Sequence, residues 1–449
     1  MPANSELKNP DELRQNERPV NLPEFAWRAA GLLSGAGARQ GYLAAADQGV
    51  MSLANFVATI ILARAISPTE LGVYGVGFTA LRLVRAFQEG LTVQPLNIFG
   101  AAMPEEEFRG YASSTTLIHL ALVGLSAGGA ALGGWLAIQT GNDVAGPTLF
   151  ALWFSFLFWQ PQEYLRRVLY ARQQVFHAFI NTLVANLVRL GLMVWWGGQG
   201  RLSGVAGLDA IAWGSMLALV PGLWQTRAYW TTRISDLRRT WARNWGFGRY
   251  VLGGALAGWV AVEFYPVLTA GMISFAAAGA YRALQNLIAP QLLLQRAAEA
   301  FLTPRAARAY RSNGLAGLKR QVLLTDGVIA VPGLGILGLG SLLAAPLLRL
   351  LYGETYVGFS GGMVLMALYG FLMFLGWPPN ASLKAAGISR PILVANVTAI
   401  VAMFTLGIWM IQRWGVYGTI GGQALNAAVV AGILGYSWLL ARRRIGMGQ

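Results

Sequence analysis

Long apolar stretches recur along the chain, separated by short polar segments. Apolar runs of roughly 20 residues, the length that crosses a bilayer core, extend from about residue 41 to residue 440. The fold class predicted by this pattern is all-α, a polytopic membrane protein with twelve transmembrane helices. The predicted limits of these spans are 41–65, 71–98, 113–138, 147–170, 175–196, 206–226, 250–270, 276–300, 321–345, 360–383, 391–411 and 417–440.

Positively charged residues lie mainly on one side of the predicted membrane. If the N-terminus is cytoplasmic, 25 of the 34 Lys and Arg residues fall on the cytoplasmic side, four on the other, and five within spans. The positive-inside rule then predicts that both termini are cytoplasmic and that the number of spans is even. This bias, together with attraction to anionic phospholipids, explains the net charge of +15 without nucleic acid as a partner.

The spans divide the chain into two helical bundles joined by a basic segment. Residues 1–40 are polar and lack the apolar region of a signal peptide, so we predict a cytoplasmic N-terminal tail. Residues 41–230 form the predicted N-terminal six-helix bundle and residues 250–440 the C-terminal one. Residues 231–249 are the predicted basic cytoplasmic linker, and residues 441–449 the basic cytoplasmic tail.

The two bundles share short sequence matches at a separation near 210 residues. Gly72 and Tyr74 in LGVYG correspond to Gly279 and Tyr281 in AGAYR, at an offset of 207. The other matches follow in the same order, and they are FALWFSFLFWQP at 150–161 with LMALYGFLMFLGWPP at 365–379, LVAN at 183–186 with 393–396, and VAG at 205–207 with VYG at 416–418. Two repeats of six spans enter the membrane in the same orientation, so we predict two parallel-repeat six-helix bundles with a substrate path between them.

Several arginines lie deep within the predicted spans. Charged side chains at this depth usually face a water-filled cavity or a protein interior, because exposure to lipid is costly. Guanidinium groups bind phosphate oxygens bidentately, which indicates a cavity for an anionic head group such as a diphosphate. The candidate substrate-binding residues are Arg82, Arg85, Arg189 and Arg282. The alternative is local ion pairing, of Arg85 with Glu89 and of Arg296 with Glu299.

Three carboxylates in the spans are candidates for ion coupling: Glu263, Glu89 and Asp47. A carboxylic acid in a medium of low dielectric can hold a proton, so Glu263 is a candidate for coupling export to proton entry. An ion pair of Glu263 with Arg282 or Arg82 across the cavity explains the same residue equally well.

Other kinds of chemistry find little support in the sequence. The chain has no cysteine and only two histidines, His119 and His177, which argues against a metal site. No GxxxxGK[ST], HExxH or GxSxG motif is present. We therefore expect neither transport driven by ATP at a P-loop nor an enzyme. No cofactor is expected, and coupling to protons or to sodium stays open.

Three segments resemble a known transporter family. They are NFVATIILARAISPTELGVYG at 55–75, AGAYRALQNLIAPQLLLQRAAEAFLTPRAARAY at 278–310, and LYGETYVGFSGGMVLMALYGF at 351–371 followed by LKAAGISRP at 383–391. On these segments the chain resembles the polysaccharide transporters (O-antigen and oligosaccharide-lipid flippases) of the multidrug/oligosaccharidyl-lipid/polysaccharide exporter superfamily. The resemblance covers essentially everything after residue 40.

The resemblance implies a specific function and location. Such a flippase moves a polyprenyl-diphosphate-linked oligosaccharide across the bacterial cytoplasmic membrane by alternating access, for surface polysaccharide synthesis. A polysaccharide polymerase is a partner that this role allows. The sequence leaves two alternatives: a cation-coupled exporter of small organic molecules from the same superfamily, and a membrane-embedded glycosyltransferase or polymerase, for which the short outer loops leave no room.

Overall fold

The computed structural model describes residues 36–232, 236–388 and 390–447, and these residues form fifteen α-helices and no strand. The helices are α1 (Ala36–Ala65), α2 (Pro68–Gln88), α3 (Gln94–Phe99), α4 (Glu105–Gln139), α5 (Ala145–Ala171), α6 (Val175–Gly198), α7 (Gly204–Thr226), α8 (Leu237–Glu263), α9 (Tyr265–Met272), α10 (Phe275–Leu287), α11 (Ala289–Leu342), α12 (Ala344–Tyr352), α13 (Gly362–Ala385), α14 (Arg390–Ala402) and α15 (Ile408–Met447). A π-helical turn, Glu89–Val93, joins α2 to α3, and another, Met403–Gly407, joins α14 to α15. We refer to α1–α7 as the N-half and to α8–α15 as the C-half.

Serine caps and glycine breaks set the local boundaries of several helices. Ser67, Ser203 and Ser274 each accept a hydrogen bond from the backbone N–H three residues on, which starts α2, α7 and α10. Gly314 (φ 57°) interrupts α11 and Gly415 (φ 58°) interrupts α15, because glycine adopts positive φ without a steric penalty. Two long runs of helix are therefore each divided into two segments of different direction.

The twelve predicted spans are largely helical, with short non-helical breaks at Phe264, Ile288 and Leu343 and a turn at 360–361. In the described part of the chain, seven helices are long and apolar enough to cross a membrane, or eight if α8 and α9, bent by 48°, form one span. The count of twelve crossings therefore stays a prediction. Residues 237–249 of the expected linker and residues 301–312 belong to helices, and α15 continues to Met447 in the expected tail. The division into two bundles, a linker and two tails stays a prediction. Residues 1–35 of the expected N-terminal tail lie outside the described residues.

Two glycines allow the N-half and the C-half to pack closely between α2 and α10. A Cβ added to Gly72 would lie 1.8 Å from the Phe275 carbonyl oxygen, and one added to Gly279 would lie 2.1 Å from that of Pro68. Backbones approach this closely only where side chains are minimal. A shift of 207 residues converts Gly72 into Gly279 and Pro68 into Phe275, and this is also the offset of the LGVYG and AGAYR sequence match. Each half therefore makes the same contact with the other. This symmetry is what a repeat requires, and the complete two-repeat organisation stays a prediction.

Further contacts join the halves, at the same end through Arg64 and beside the chamber through Asn286. Arg64 at the end of α1 donates from Nε to the Leu351 carbonyl oxygen at 2.9 Å and from Nη2 to that of Leu350, in the last turn of α12. Asn286 of α10 donates to the Phe56 carbonyl oxygen at 3.3 Å. The halves are therefore closed where α1 ends and α2 begins, which the predicted orientation places on the outer side.

Candidate functional site

A cavity of two connected lobes lies between the N-half and the C-half. The first lobe, of about 550 Å³, is lined mainly by α1, α2, α5, α6 and α8. The second lobe, of about 330 Å³, is lined mainly by α10, α11, α13 and α15. Six residues line both lobes, and they are Asn55, Phe78, Arg82, Val262, Glu263 and Arg296. The lobes are therefore parts of one chamber at the boundary of the halves.

The structure brings the four predicted substrate-binding arginines to this chamber. Arg82, Arg85 and Arg189 line the first lobe, and Arg282 lines the second. Arg82 and Arg85 are three residues apart on α2, so that helical spacing places them on the same side. Arg189 and Arg282 come from α6 and α10, which makes the clustering a result of tertiary packing.

Arg82 and Glu263 form an ion pair that joins the two halves. Arg82 Nη2 lies 2.7 Å from Glu263 Oε1, linking α2 to the last residue of α8. The side chains are 32% and 13% exposed, so the pair is in contact with the chamber rather than sealed in the core. This is one of the two explanations that the sequence allowed for Glu263. Its role in proton coupling stays a prediction.

Arg85 takes part in a network centred on Glu163 of α5. Arg85 Nη2 and Arg167 Nη2 lie 3.2 and 3.1 Å from Glu163 Oε1, and Arg166 contacts Oε2. The alternative pairing of Arg85 with Glu89 is not the one observed, because Arg85 and two other guanidinium groups converge on Glu163. Glu89 lines the first lobe and accepts a hydrogen bond from Gln94 Nε2 at 3.0 Å.

Asp47 is enclosed rather than exposed to the chamber. Its carboxylate is fully buried and accepts hydrogen bonds from Arg166, from Thr182 and from the Tyr170 hydroxyl at 2.6 Å. Asp47 does not belong to the residues that line either lobe. The structure therefore separates it from Glu263 and Glu89, with which the sequence grouped it, and its coupling role stays a prediction.

Two guanidinium groups of the chamber have only neutral hydrogen-bond partners among the described residues. Arg189 donates from Nη1 to Asn55 Oδ1 at 2.8 Å and from Nη2 to the Tyr74 hydroxyl at 2.5 Å. Arg282 donates to Gln285 Oε1 at 3.0 Å, and its guanidinium lies 5.2 Å from the centre of the Phe78 ring. Neither forms a salt bridge with a described carboxylate. These two positive charges are therefore held in place without being neutralised.

Among the described residues that line the chamber, positive side chains outnumber negative ones. Six arginines line its lobes, and they are Arg82, Arg85, Arg167, Arg189, Arg282 and Arg296. Three glutamates line them, and they are Glu89, Glu163 and Glu263. Such an excess attracts anions, and walls of low dielectric strengthen the attraction.

Sequence reasoning did not identify Glu163 and Arg167 as part of the site. The signal was present: Glu163, Arg166 and Arg167 have the i, i+3 and i, i+4 spacing of one helical face. The alternative pairing of Arg296 with Glu299 cannot be described, because the side chain of Glu299 lies outside the described residues. No group of three potential metal ligands occurs within the described ranges.

Comparison with known proteins shows similarity at the level of structure. No protein-family profile matches the sequence, and no curated protein is significantly similar to it. The structure is similar to the inward-facing conformation of a multidrug resistance MATE family transporter of the MOP superfamily, with 16% identity, coverage of 88% of this chain and 94% of that chain, and a TM-score of 0.70. For an outward-facing conformation of such a transporter, identity is 16%, coverage 93% and 98%, and the TM-score 0.64.

A third similar structure is a MOP superfamily transporter from Pyrococcus furiosus, for which reverse polarity of the binding pocket is said to suggest a different function. It is 16% identical, with coverage of 93% and 97% and a TM-score of 0.63. Likeness at this identity establishes the fold: the chain has the all-helical, multi-pass fold of MATE transporters of the MOP superfamily.

Proposed function

We propose that the protein is an alternating-access flippase that moves a polyprenyl-diphosphate-linked oligosaccharide across the bacterial cytoplasmic membrane. The observation that carries the proposal is the cationic chamber, in which Arg189 and Arg282 have only neutral partners among the described residues. A fixed, unneutralised guanidinium in a chamber is arranged to receive an anionic group. The transporter fold supports the movement, and the chamber supports the charge of the cargo.

The chemistry of a diphosphate fits this arrangement better than that of a cationic drug. A diphosphate offers several oxygens to bidentate guanidinium groups, and hydrogen bonds between charged partners are roughly twice as strong as neutral ones. The arginines approach the chamber from α2, α5, α6, α10 and α11, so they can surround a compact anion. A cation would instead meet an excess of like charge, which lowers its affinity.

The contacts at the closed end provide the alternation of access. The Gly72–Phe275 and Gly279–Pro68 contacts and the Arg64 hydrogen bonds hold the halves together where α1 ends. With both termini in the cytoplasm, as we propose, this closure lies outside and the chamber loads from the inner leaflet. Separation of these contacts would open the chamber to the outer leaflet.

Surface polysaccharide in cells is the first test. A deletion strain would be complemented with the full chain, with Arg189→Gln and Arg282→Gln combined, or with Arg413→Gln. Arg413 is an exposed arginine outside the chamber, so it is the matched control. We expect the full chain and the control to restore polymer and the double variant to lose most of it. Normal polymer in the deletion strain would remove the assignment.

A second candidate function is the export of small organic molecules, which the likeness to multidrug resistance MATE transporters favours. It predicts that deletion increases sensitivity to cationic dyes and drugs and leaves surface polymer unchanged. Because an exporter of cations would depend on the carboxylates, Glu263→Gln would then abolish resistance. Surface polymer and drug sensitivity, measured in the deletion strain and in the strain complemented with the full chain, therefore distinguish the two functions.

A further inference from the structure

The second lobe differs in chemistry from the first. The residues that it does not share include one charged side chain, Arg282. Its remaining polar lining residues are neutral, and they are Ser52, Gln285, Asn286, Gln295, Tyr369, Trp377 and Asn380. Its apolar lining residues include Leu292, Leu293, Leu372, Met373, Val430 and Leu434. Among the described lining residues, five charged side chains belong to the first lobe alone and one to the second alone, while amides and aromatic rings line both.

Regular helical spacing builds this neutral wall. On α13, Tyr369, Met373, Trp377 and Asn380 follow one another at intervals of three or four residues, so they lie along one side of the helix. Gln295 of α11 lines the same lobe. Gln295, Trp377 and Asn380 therefore come from two helices, α11 and α13, that pack against each other.

Three polar groups of this wall lack a hydrogen-bond partner in the described part of the chain. They are Gln295 Nε2, Trp377 Nε1 and Asn380 Oδ1, two donors and one acceptor, all buried. The Gln295 and Trp377 side chains are 8% and 6% exposed. Buried polar groups are nearly always paired in folded proteins, because an unmade hydrogen bond is costly. Three in one cavity wall indicate partners supplied by a ligand.

The ligand that suits this set is neutral and rich in hydroxyl groups. Hydroxyls both donate and accept, so a sugar can supply partners to N–H donors and to an amide oxygen. Leucines that line the lobe, such as Leu292 and Leu372, offer apolar surface to the C–H face of a sugar ring. A phosphate cannot serve this set, because it has no donor for Asn380 Oδ1, and a prenyl chain can serve none of the three.

We propose that the second lobe is a carbohydrate subsite, which holds a neutral sugar through Gln295, Trp377 and Asn380 while the diphosphate lies at the arginines. This assignment rests on the proposed flippase function and adds an orientation to it. The charged link of the substrate lies toward the N-half, and the first sugars lie toward α11 and α13. Recognition of the glycan is thereby separated from recognition of the lipid diphosphate.

The test compares two ligands on the purified full chain. The probes are two diesters of farnesyl diphosphate that carry the same charge, one with a methyl group and one with N-acetylglucosamine on the terminal phosphate, and affinities are measured by thermophoresis. We expect the sugar-bearing probe to bind about tenfold more tightly, as two or three additional hydrogen bonds provide. In Trp377→Phe and Asn380→Leu this advantage is lost, while the affinity for the methyl diester is unchanged.

Gln291→Leu is the matched control, because Gln291 also has a buried unpartnered atom, Oε1, but does not line the second lobe. It should leave both affinities unchanged. Equal binding of the two probes by the unmodified chain would overturn the subsite and leave the diphosphate proposal standing. A gain in affinity for both probes in Asn380→Leu would assign the lobe to the prenyl chain and also overturn it. Failure of the unmodified chain to bind either probe would instead overturn the flippase itself.

Discussion

Replacement of Glu263 by glutamine should increase the affinity of the chamber for a diphosphate. In the structure, Glu263 holds Arg82 at 2.7 Å and so competes with an anion for that guanidinium. An anion bound to Arg82 would lie about 6 Å from the Glu263 carboxylate. At that distance the repulsion between unit charges is about 0.7–2.8 kcal/mol for effective dielectric constants between about 80 and 20. Removal of the carboxylate should therefore increase the affinity roughly tenfold.

The partner substitution should have the opposite effect. Arg82→Gln removes a charge-assisted hydrogen bond to the anion, worth about 1.5–3 kcal/mol, and should lower the affinity by tenfold or more. The assay is equilibrium binding of farnesyl diphosphate to the purified chain, at low and at high salt. Both effects should become smaller at high salt, because the side chains, 32% and 13% exposed, are partly screened.

A matched control is available at the surface. Glu354 pairs with Arg349 outside the chamber, and both side chains are exposed, so Glu354→Gln should leave the affinity unchanged. If Glu263→Gln and Arg82→Gln weaken binding to the same extent, the pair has only a structural role. That result would refute the reasoning, because two members of one ion pair would then act on the anion with the same sign.

Three further predictions concern stability and conformation. Glu163→Gln leaves three guanidinium groups without their shared carboxylate, so the free energy of unfolding in detergent should fall by about 3 kcal/mol. An unchanged denaturation curve would contradict the network. Gly279→Leu should prevent closure, because even a Cβ would lie 2.1 Å from a carbonyl oxygen. Spin labels on cysteines introduced at Thr140 and Thr355 of the cysteine-free chain should then move apart by several ångströms. Arg64→Ala removes hydrogen bonds that cross the closed end and should broaden the same distance distribution toward longer values, whereas an unaltered distribution would show that Arg64 does not contribute to closure.

Much of the chamber could be predicted because the membrane restricts where charges can lie. Arg82, Arg85, Arg189 and Arg282 stood out as arginines within apolar spans, and all four line the chamber. Their partners could not be predicted in the same way. Helical spacing suggested that Arg85 pairs with Glu89, but α5 packs against α2 and supplies a carboxylate from a distant part of the sequence.

Burial was the other quantity that spacing could not provide. Asp47 was grouped with Glu263 and Glu89 because all three are carboxylates in spans, yet α6 and α5 enclose it with Thr182 and Arg166. The neutral wall of the second lobe was missed for a similar reason. Amides and aromatic residues are common in membrane helices, so only their convergence on one cavity distinguishes Gln295 and Trp377.

Transport of a labelled substrate in proteoliposomes tests the central claim most directly, namely that the chamber carries an anionic lipid-linked cargo. The measurement is the rate at which a fluorescent polyprenyl-diphosphate-linked sugar becomes accessible to a membrane-impermeant quencher on the opposite side. We predict that the full chain and Arg413→Gln translocate it, and that the combined Arg189→Gln and Arg282→Gln variant is slower by tenfold or more. Equal rates for the double variant and the unmodified chain, or transport of a cationic dye with no movement of the labelled lipid, would contradict the account.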